Sequence, residues 1–80
     1  MRIDKYLKVS RLIKRRTVAN DACDAKHVTV NGKVAKASYD VKIDDVIHLD
    51  LGIRQLQVQV VAVQETVAKN DAALLYKVLQ

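Results

Sequence analysis

The sequence predicts an α+β fold. Three features carry that prediction: apolar residues at helical spacing through the first 25 positions, an Asn31-Gly32 turn between two alternating runs, and a long alternating stretch beyond Val46. Two short helices should come first, strands next, and a short C-terminal helix last. Eighty residues, half of them apolar, suffice for one modest core but not for a core plus a separate catalytic cleft. With no proline, repeat or low-complexity tract to mark a linker, residues 1–80 are expected to be one domain.

In residues 2–8, Ile3, Tyr6 and Leu7 fall on one helical face and Arg2, Lys5 and Lys8 nearly opposite. Asp4 suits the first turn and can pair with Lys8 one turn on. Val9 to Arg16 then reads as a connection anchored inward by Leu12 and Ile13. Thr17 is the expected cap of a second helix running from about Thr17 to Ala25. Its Val18, Ala19, Ala22, Cys23 and Ala25 make a small-residue face for close packing, opposite Asn20, Asp21 and Asp24. Cys23 has no local base beside it and reads as a small packed hydrophobe.

Val28-Thr29-Val30 alternates like a strand, Asn31-Gly32 suits a primed turn, and Lys33-Val34-Ala35 returns. His27 is expected at the surface. Val46 to Leu51 alternates again with Ile47, Leu49 and Leu51 inward, and His48 outward beside Asp50. Gly52 marks a turn before a long strand from Arg54 to Gln64, with Leu56, Val58, Val60 and Ala62 inward. Its far end, with Val61 and Val63, is apolar on both faces and needs a cover. Asn70 can cap a short helix that lays Ala72, Leu75 and Leu79, or Ala73 and Tyr76, on the sheet; a terminal strand through Leu75 to Leu79 is the alternative.

Charge points to a partner. Residues 1–16 hold seven of the fourteen Lys and Arg against Asp4 alone, a balance of +6, while the other 64 residues sum to −1. Lys14, Arg15 and Arg16 crowd the start of the second helix, where the dipole disfavours each exposed cation by roughly 0.3–1 kcal/mol. The fold gains nothing obvious from this, whereas a phosphate would meet free N–H groups, the positive dipole end and guanidinium forks together. An anionic partner, nucleic acid above all, is expected. Three tyrosines with no Phe or Trp do not suit a binder that stacks base after base, so recognition through phosphates and shape is expected.

Other classes find little support. A lone cysteine cannot form an internal disulfide and has no ligand-spaced companion for zinc, so no metal or cofactor is expected, and the reducing cytoplasm is the natural compartment. No apolar run has the length of a membrane span or a signal-peptide core. Residues 1–16 alone could make an amphipathic membrane module, but Trp and Phe are missing from its apolar side. Paired carboxylates, a Cys–His pair or a phosphate-cradling glycine loop, the parts an enzyme would need, are absent from the motifs of the chain.

The arrangement Arg2-Ile3-Asp4-Lys5-Tyr6-Leu7, then Arg15-Arg16-Thr17-Val18-Ala19, then His27-Val28-Thr29-Val30-Asn31-Gly32-Lys33 resembles the S4-like RNA-binding domain over about residues 2–50. More narrowly, Leu7 to Thr17 with Ala35-Lys36-Ala37-Ser38 and the tail Ala73-Leu74-Leu75-Tyr76 resembles the RqcP (YabO-like) ribosome-quality-control family. The fifteen-kilodalton heat-shock protein is a near relative that is longer and has a basic C-terminal extension.

The resemblance implies an S4-like (αL motif) domain, two short helices packed on a small antiparallel sheet, binding RNA with its helical face and hairpin edge. It implies a non-enzymatic, cytoplasmic, monomeric factor on obstructed large ribosomal subunits. Such a factor contacts large-subunit ribosomal RNA and the peptidyl-site tRNA, and steadies that tRNA while an RqcH-like partner supports alanine tailing. Recycling of stalled large subunits, as in the heat-shock branch, and an accessory domain of a pseudouridine synthase are the alternatives. The candidate RNA-binding set is Arg2, Lys5, Lys8, Arg11, Lys14, Arg15, Arg16, Thr17 and Lys33. Of these, Arg2, Lys5, Arg11, Arg15, Arg16 and Thr17 match RNA-facing positions of the family. Two departures stand out: Lys26 where the family usually has glycine after the second helix, and Asp44, preceded by Ile43, where it commonly has glycine after proline. Either these turns are rebuilt, or each left-handed non-glycine residue costs about 1 kcal/mol or somewhat more.

Overall fold

Helix α1 (Ile3–Val9) forms where Ile3, Tyr6 and Leu7 recur at helical spacing, and all three are fully buried. The computed structural model describes residues 1–52, 54–65 and 67–79. A connection anchored by buried Ile13 and half-buried Leu12 leads to α2 (Arg16–Asp24), which packs against α1. Strands β1 (Val28–Val30), β2 (Lys33–Val34), β3 (Val46–Asp50), β4 (Gln55–Val60) and β5 (Tyr76–Val78) follow, with a 3-10 helix, Lys69–Leu75, ahead of the last. All pairs are antiparallel, in the order β2-β1-β3-β4-β5.

Register sets the core. Val28 faces Leu49 and Leu49 faces Leu56, while Val30 faces Ile47 and Ile47 faces Val58, so apolar columns run across three strands. They pack with Ile3, Tyr6 and Leu7 of α1, Ala19 and Cys23 of α2, and Leu75 into one cluster. Burying that set stabilises the fold by about 25 cal/mol for each Å² of apolar surface removed from water. The buried Tyr6 hydroxyl donates to the Leu75 carbonyl at 2.7 Å, joining two ends of the chain. Burial pushes the Tyr6 phenol well above its usual pKa. The Cys23 thiol is likewise raised by burial, to about 11, and is packed rather than reactive.

Several sequence expectations are corrected. Arg15, extended at φ −123° and ψ 137°, is the N-cap of α2, so Thr17 lies inside the helix and does not cap it. Arg16 thereby takes the first helical position, from which it reaches Asp4 of α1. The small-residue face narrows to buried Ala19 and Cys23 with half-buried Ala22; Val18 is 49% exposed, and Ala25 is exposed as the C-cap. Both lie about 100° or more round the helix from the Ala19–Cys23 stripe. Asp4 does not pair with Lys8, because it is buried at the α1–α2 seam among Arg2, Arg16 and Asn20.

The long strand ends at Val60 rather than Gln64, since the Val61 and Ala62 N–H groups turn to the Leu75 carbonyl at 2.8 and 3.1 Å. Ala62 is accordingly only half-buried, and Leu56, near the start of β4, is half-buried too. At the C-terminus both alternatives occur in succession, helix then strand. The helix is 3-10 and starts from Ala68 rather than an Asn70 cap. Its tighter pitch stacks i with i+3, which buries Ala72 and Leu75 and leaves Ala73 exposed, while Leu79 lies beyond β5 and is exposed there.

The departures at Lys26 and Asp44 do not rebuild the turns. Lys26 (φ 64°) and Asp44 (φ 78°) both keep the left-handed conformation. The Lys26 N–H donates to the Cys23 carbonyl and the His27 N–H to that of Ala22, the Schellman pattern with lysine in the glycine position. Arg11 (φ 64°) ends α1 in the left-handed conformation too, but there the Ile13 N–H, one residue further on, returns to the Leu7 carbonyl. Asn31 (φ 53°) and Gly32 (φ 86°) supply the two positive φ values of the primed hairpin turn.

Candidate nucleic-acid interface

The α1–α2 corner gathers the N-terminal cations because both helices bury their apolar faces inward and their polar faces are left over. Lys5, Lys8, Arg11, Lys14 and Arg16 line one open groove of about 830 Å³, with Val9, Glu65 and Val67 completing it. Arg16 also borders an adjoining cavity of about 360 Å³ lined by Arg2, Asp4, Thr17, Asn20 and Asp21. Seven of the nine candidate residues thus share one continuous surface pivoting on Arg16. The other two, Arg15 and Lys33, are exposed but line neither cavity; Arg15 caps α2 and Lys33 begins β2 at the hairpin.

Arg11 owes its place to backbone geometry. Its N–H donates to the Lys8 carbonyl at 3.0 Å and the left-handed turn there swings the chain from α1 into the connection, so that its side chain borders the groove. The start of α2 carries no acidic residue in its first turn and no side-chain cap, which leaves its N–H groups without a carboxylate or hydroxyl acceptor.

Three carboxylates border this surface; Asp21 is exposed and has no ion pair among the described residues, while Asp4 and Glu65 are paired with its cations. Asp4, only 2% exposed, accepts from Arg2 Nε and Nη2 at 3.2 Å each, from the Lys5 N–H at 2.8 Å and from Asn20 Nδ2 at 3.4 Å, and Arg16 Nε lies 3.4 Å away. Burial pushes its carboxyl up, but the Asn20 and Lys5 hydrogen bonds with Arg16 and Arg2 outweigh this and hold it below the usual carboxylate range. Glu65 is exposed and paired with Lys5, whose hydrogen bond lowers its pKa. The cationic cluster is therefore only partly neutralised from within: Arg16 and Arg2 share one buried carboxylate, Lys5 pairs with Glu65, and Lys8, Arg11, Lys14 and Arg15 form no ion pair among the described residues.

Sequence reasoning missed Asn20 and Glu65. Asn20 stands one turn after Arg16 on α2, a spacing that could have placed them on one face, whereas nothing in the sequence near Glu65 points to a groove built by residues sixty positions earlier. Its exposed ammonium and guanidinium groups equip the surface to hold an anion by hydrogen bonds and charge.

Comparison with known proteins gives the family. The S4 domain family model matches residues 1–47. A protein of Halalkalibacterium halodurans named RQC P-site tRNA stabilizing factor is 50% identical over 78 residues, which cover 98% of this chain and 89% of that protein. The Bacillus subtilis protein of the same name is 46% identical over all 80 residues and 93% of its own length. Among solved structures, the trimeric heat shock protein 15 of Vibrio cholerae superposes with a TM-score of 0.91 at 28% identity, covering 98% of this chain and 80% of that one. The chain therefore belongs to the S4 domain family, on the branch of the RQC P-site tRNA stabilizing factors.

Proposed function

We propose that this chain is an RNA-binding factor of ribosome-associated quality control, which steadies the P-site tRNA on a large ribosomal subunit obstructed by a nascent chain. The observation that carries the reading is the groove of Lys5, Lys8, Arg11, Lys14 and Arg16, continued past Arg16 to Arg2 and Thr17, in a chain whose relatives bear that name. Its donors suit phosphate oxygens along a backbone, and with one asparagine and no aromatic side chain at the surface it positions RNA rather than reading bases. Arg15 and Lys33 extend the contact beyond the groove. The chain works without catalysis, in the cytoplasm, against ribosomal RNA and tRNA together, and as a monomer beside an RqcH-like tailing factor. None of the described helices is long and apolar enough to cross a membrane. The likeness to heat shock protein 15 supports a shared fold.

The test is sedimentation of a tagged chain through a gradient, where co-migration with large subunits carrying tRNA, and not with free tRNA or intact ribosomes, is expected. Arg16→Ala, checked for folding, should weaken binding whatever the RNA sequence and lower the slope of log K against log salt by about one unit. Unchanged binding by that variant would show that the groove is not the site.

A further inference from the structure

Of the three carboxylates on the cationic face, Asp4 and Glu65 pair with its cations, and elementary electrostatics would have both oppose RNA. Their surroundings differ. Glu65 is 69% exposed, forms an ion pair with Lys5, and lies in the groove among cations, in the kind of place a phosphate would take. Asp4 is buried beneath the surface, with one oxygen on Arg2 Nε and the Lys5 amide and the other within 3.4 Å of Arg2 Nη2, Arg16 Nε and Asn20 Nδ2. It thus stands between two guanidinium groups from different helical elements, Arg2 at the N-cap of α1 and Arg16 at the first position of α2. Those groups would repel one another across such a short gap without it. Each still has donors to spare, since a guanidinium carries five N–H bonds: Arg16 engages Asp4 through Nε only, and the two side chains remain 50% and 47% exposed.

We propose that Asp4 is a positioning residue for RNA, fixing the planes of Arg2 and Arg16 so that their remaining N–H groups converge on one backbone segment. This rests on the reading that the face binds RNA. A fork held in place by its own protein loses less freedom when it closes on a phosphate, and Asn20 helps by pinning the shared oxygen. Asp4 therefore favours binding although it is negative, and Glu65 hinders it.

The two roles make opposite predictions for one change of charge. Against large ribosomal subunits carrying P-site tRNA, Asp4→Asn adds a positive unit to the chain yet is expected to weaken binding about tenfold, the scale of one lost charge-assisted contact. Glu65→Gln adds the same unit and is expected to tighten binding about twofold to threefold, with Lys5 present or replaced by alanine, because the carboxylate opposes a phosphate in either case. The decisive arm is a double-mutant cycle: in an Arg2→Ala/Arg16→Ala background Asp4→Asn should cost nothing, because the groups it orients are gone. Should Asp4→Asn fail to fold, Asn20→Ala, neutral and half-buried, carries the test, with a loss of about threefold that disappears in the same background. Equal or tighter binding by folded Asp4→Asn, or a loss that persists without both arginines, would overturn the assignment. If instead Arg2→Ala/Arg16→Ala binds like the parent, it is the RNA-binding reading itself that fails.

Discussion

The two helices end alike. Each is closed by a cation in the left-handed conformation where glycine would be cheaper, Arg11 after α1 and Lys26 after α2, both at φ 64°. The backbone cost is the same, about 1 kcal/mol, and so is the sign of the charge. What differs is where the side chains stand. Arg11 borders the groove with Lys5, Lys8, Lys14 and Arg16, whereas Lys26 is exposed and lines neither cavity of the corner. Strain at Arg11 thus coincides with a place in the groove proposed to bind RNA, and strain at Lys26 lies outside both cavities. Backbone strain alone does not mark a functional residue; strain together with a position in a site does.

The comparison can be broken hardest where a left-handed residue leans on its neighbours. Asp45, 8% exposed, accepts from Tyr39 Oη at 2.9 Å, Asn31 Nδ2 at 3.1 Å and the Lys42 N–H at 3.0 Å, and so underpins the left-handed turns at Asn31 and Asp44. Asp45→Ala strands three donors and should cost about 2–3 kcal/mol by urea unfolding. Burial raises the Asp45 carboxyl, but the hydrogen bonds from Lys42, Tyr39 and Asn31 prevail and its pKa is depressed in the fold. A depressed folded value means that its stabilisation is present above the unfolded pKa, near 4, and is lost as pH falls through the folded one. Unfolding measured from pH 6 down to pH 2 should therefore show a loss of stability that Asp45→Asn makes shallower.

Next in size is Arg11→Gly. It should bind large subunits carrying tRNA about tenfold more weakly, roughly 1.4 kcal/mol, while melting a few degrees higher because its strain is relieved. A variant that gained stability and kept its affinity would put Arg11 on the same footing as Lys26. Lys26→Gly should gain about 0.5–1 kcal/mol, some 2–8 °C in Tm, with affinity within twofold of the parent. Asp44→Gly should gain least, a few tenths of a kcal/mol, because Asp44 Oδ1 accepts from Gln59 Nε2 at 3.3 Å and that contact would be lost. A larger gain at Asp44 than at Lys26 would mean that surface contacts do not offset strain here.

Much of the fold was legible because its signals are local. The Ile3, Tyr6, Leu7 triplet, the Asn31-Gly32 turn and the Ile47, Leu49 alternation each need only a few neighbouring residues to be recognised, and each lies where the pattern puts it. The element ends were less legible. Thr17 carries the side chain of a cap, but the helix starts at Arg16, and β4 stops where its N–H groups find Leu75 instead of β3. The C-terminal segment satisfied helix and strand patterns at once and uses both in turn.

Composition and spacing by themselves determined that cations gather in the first sixteen residues, that two helices precede a hairpin, and that alternation builds a sheet, since charge count and periodicity are properties of the chain as written. Only the tertiary structure decided that Asp4 turns inward to Arg2 and Arg16 rather than outward to Lys8, that Glu65 faces Lys5 across the groove, and that Arg15 and Lys33 stand outside it. Those outcomes depend on the angle at which α1 meets α2 and on where the loop after β4 returns. Such long-range placements are set by the packing of the whole core, and no stretch of sequence encodes them alone.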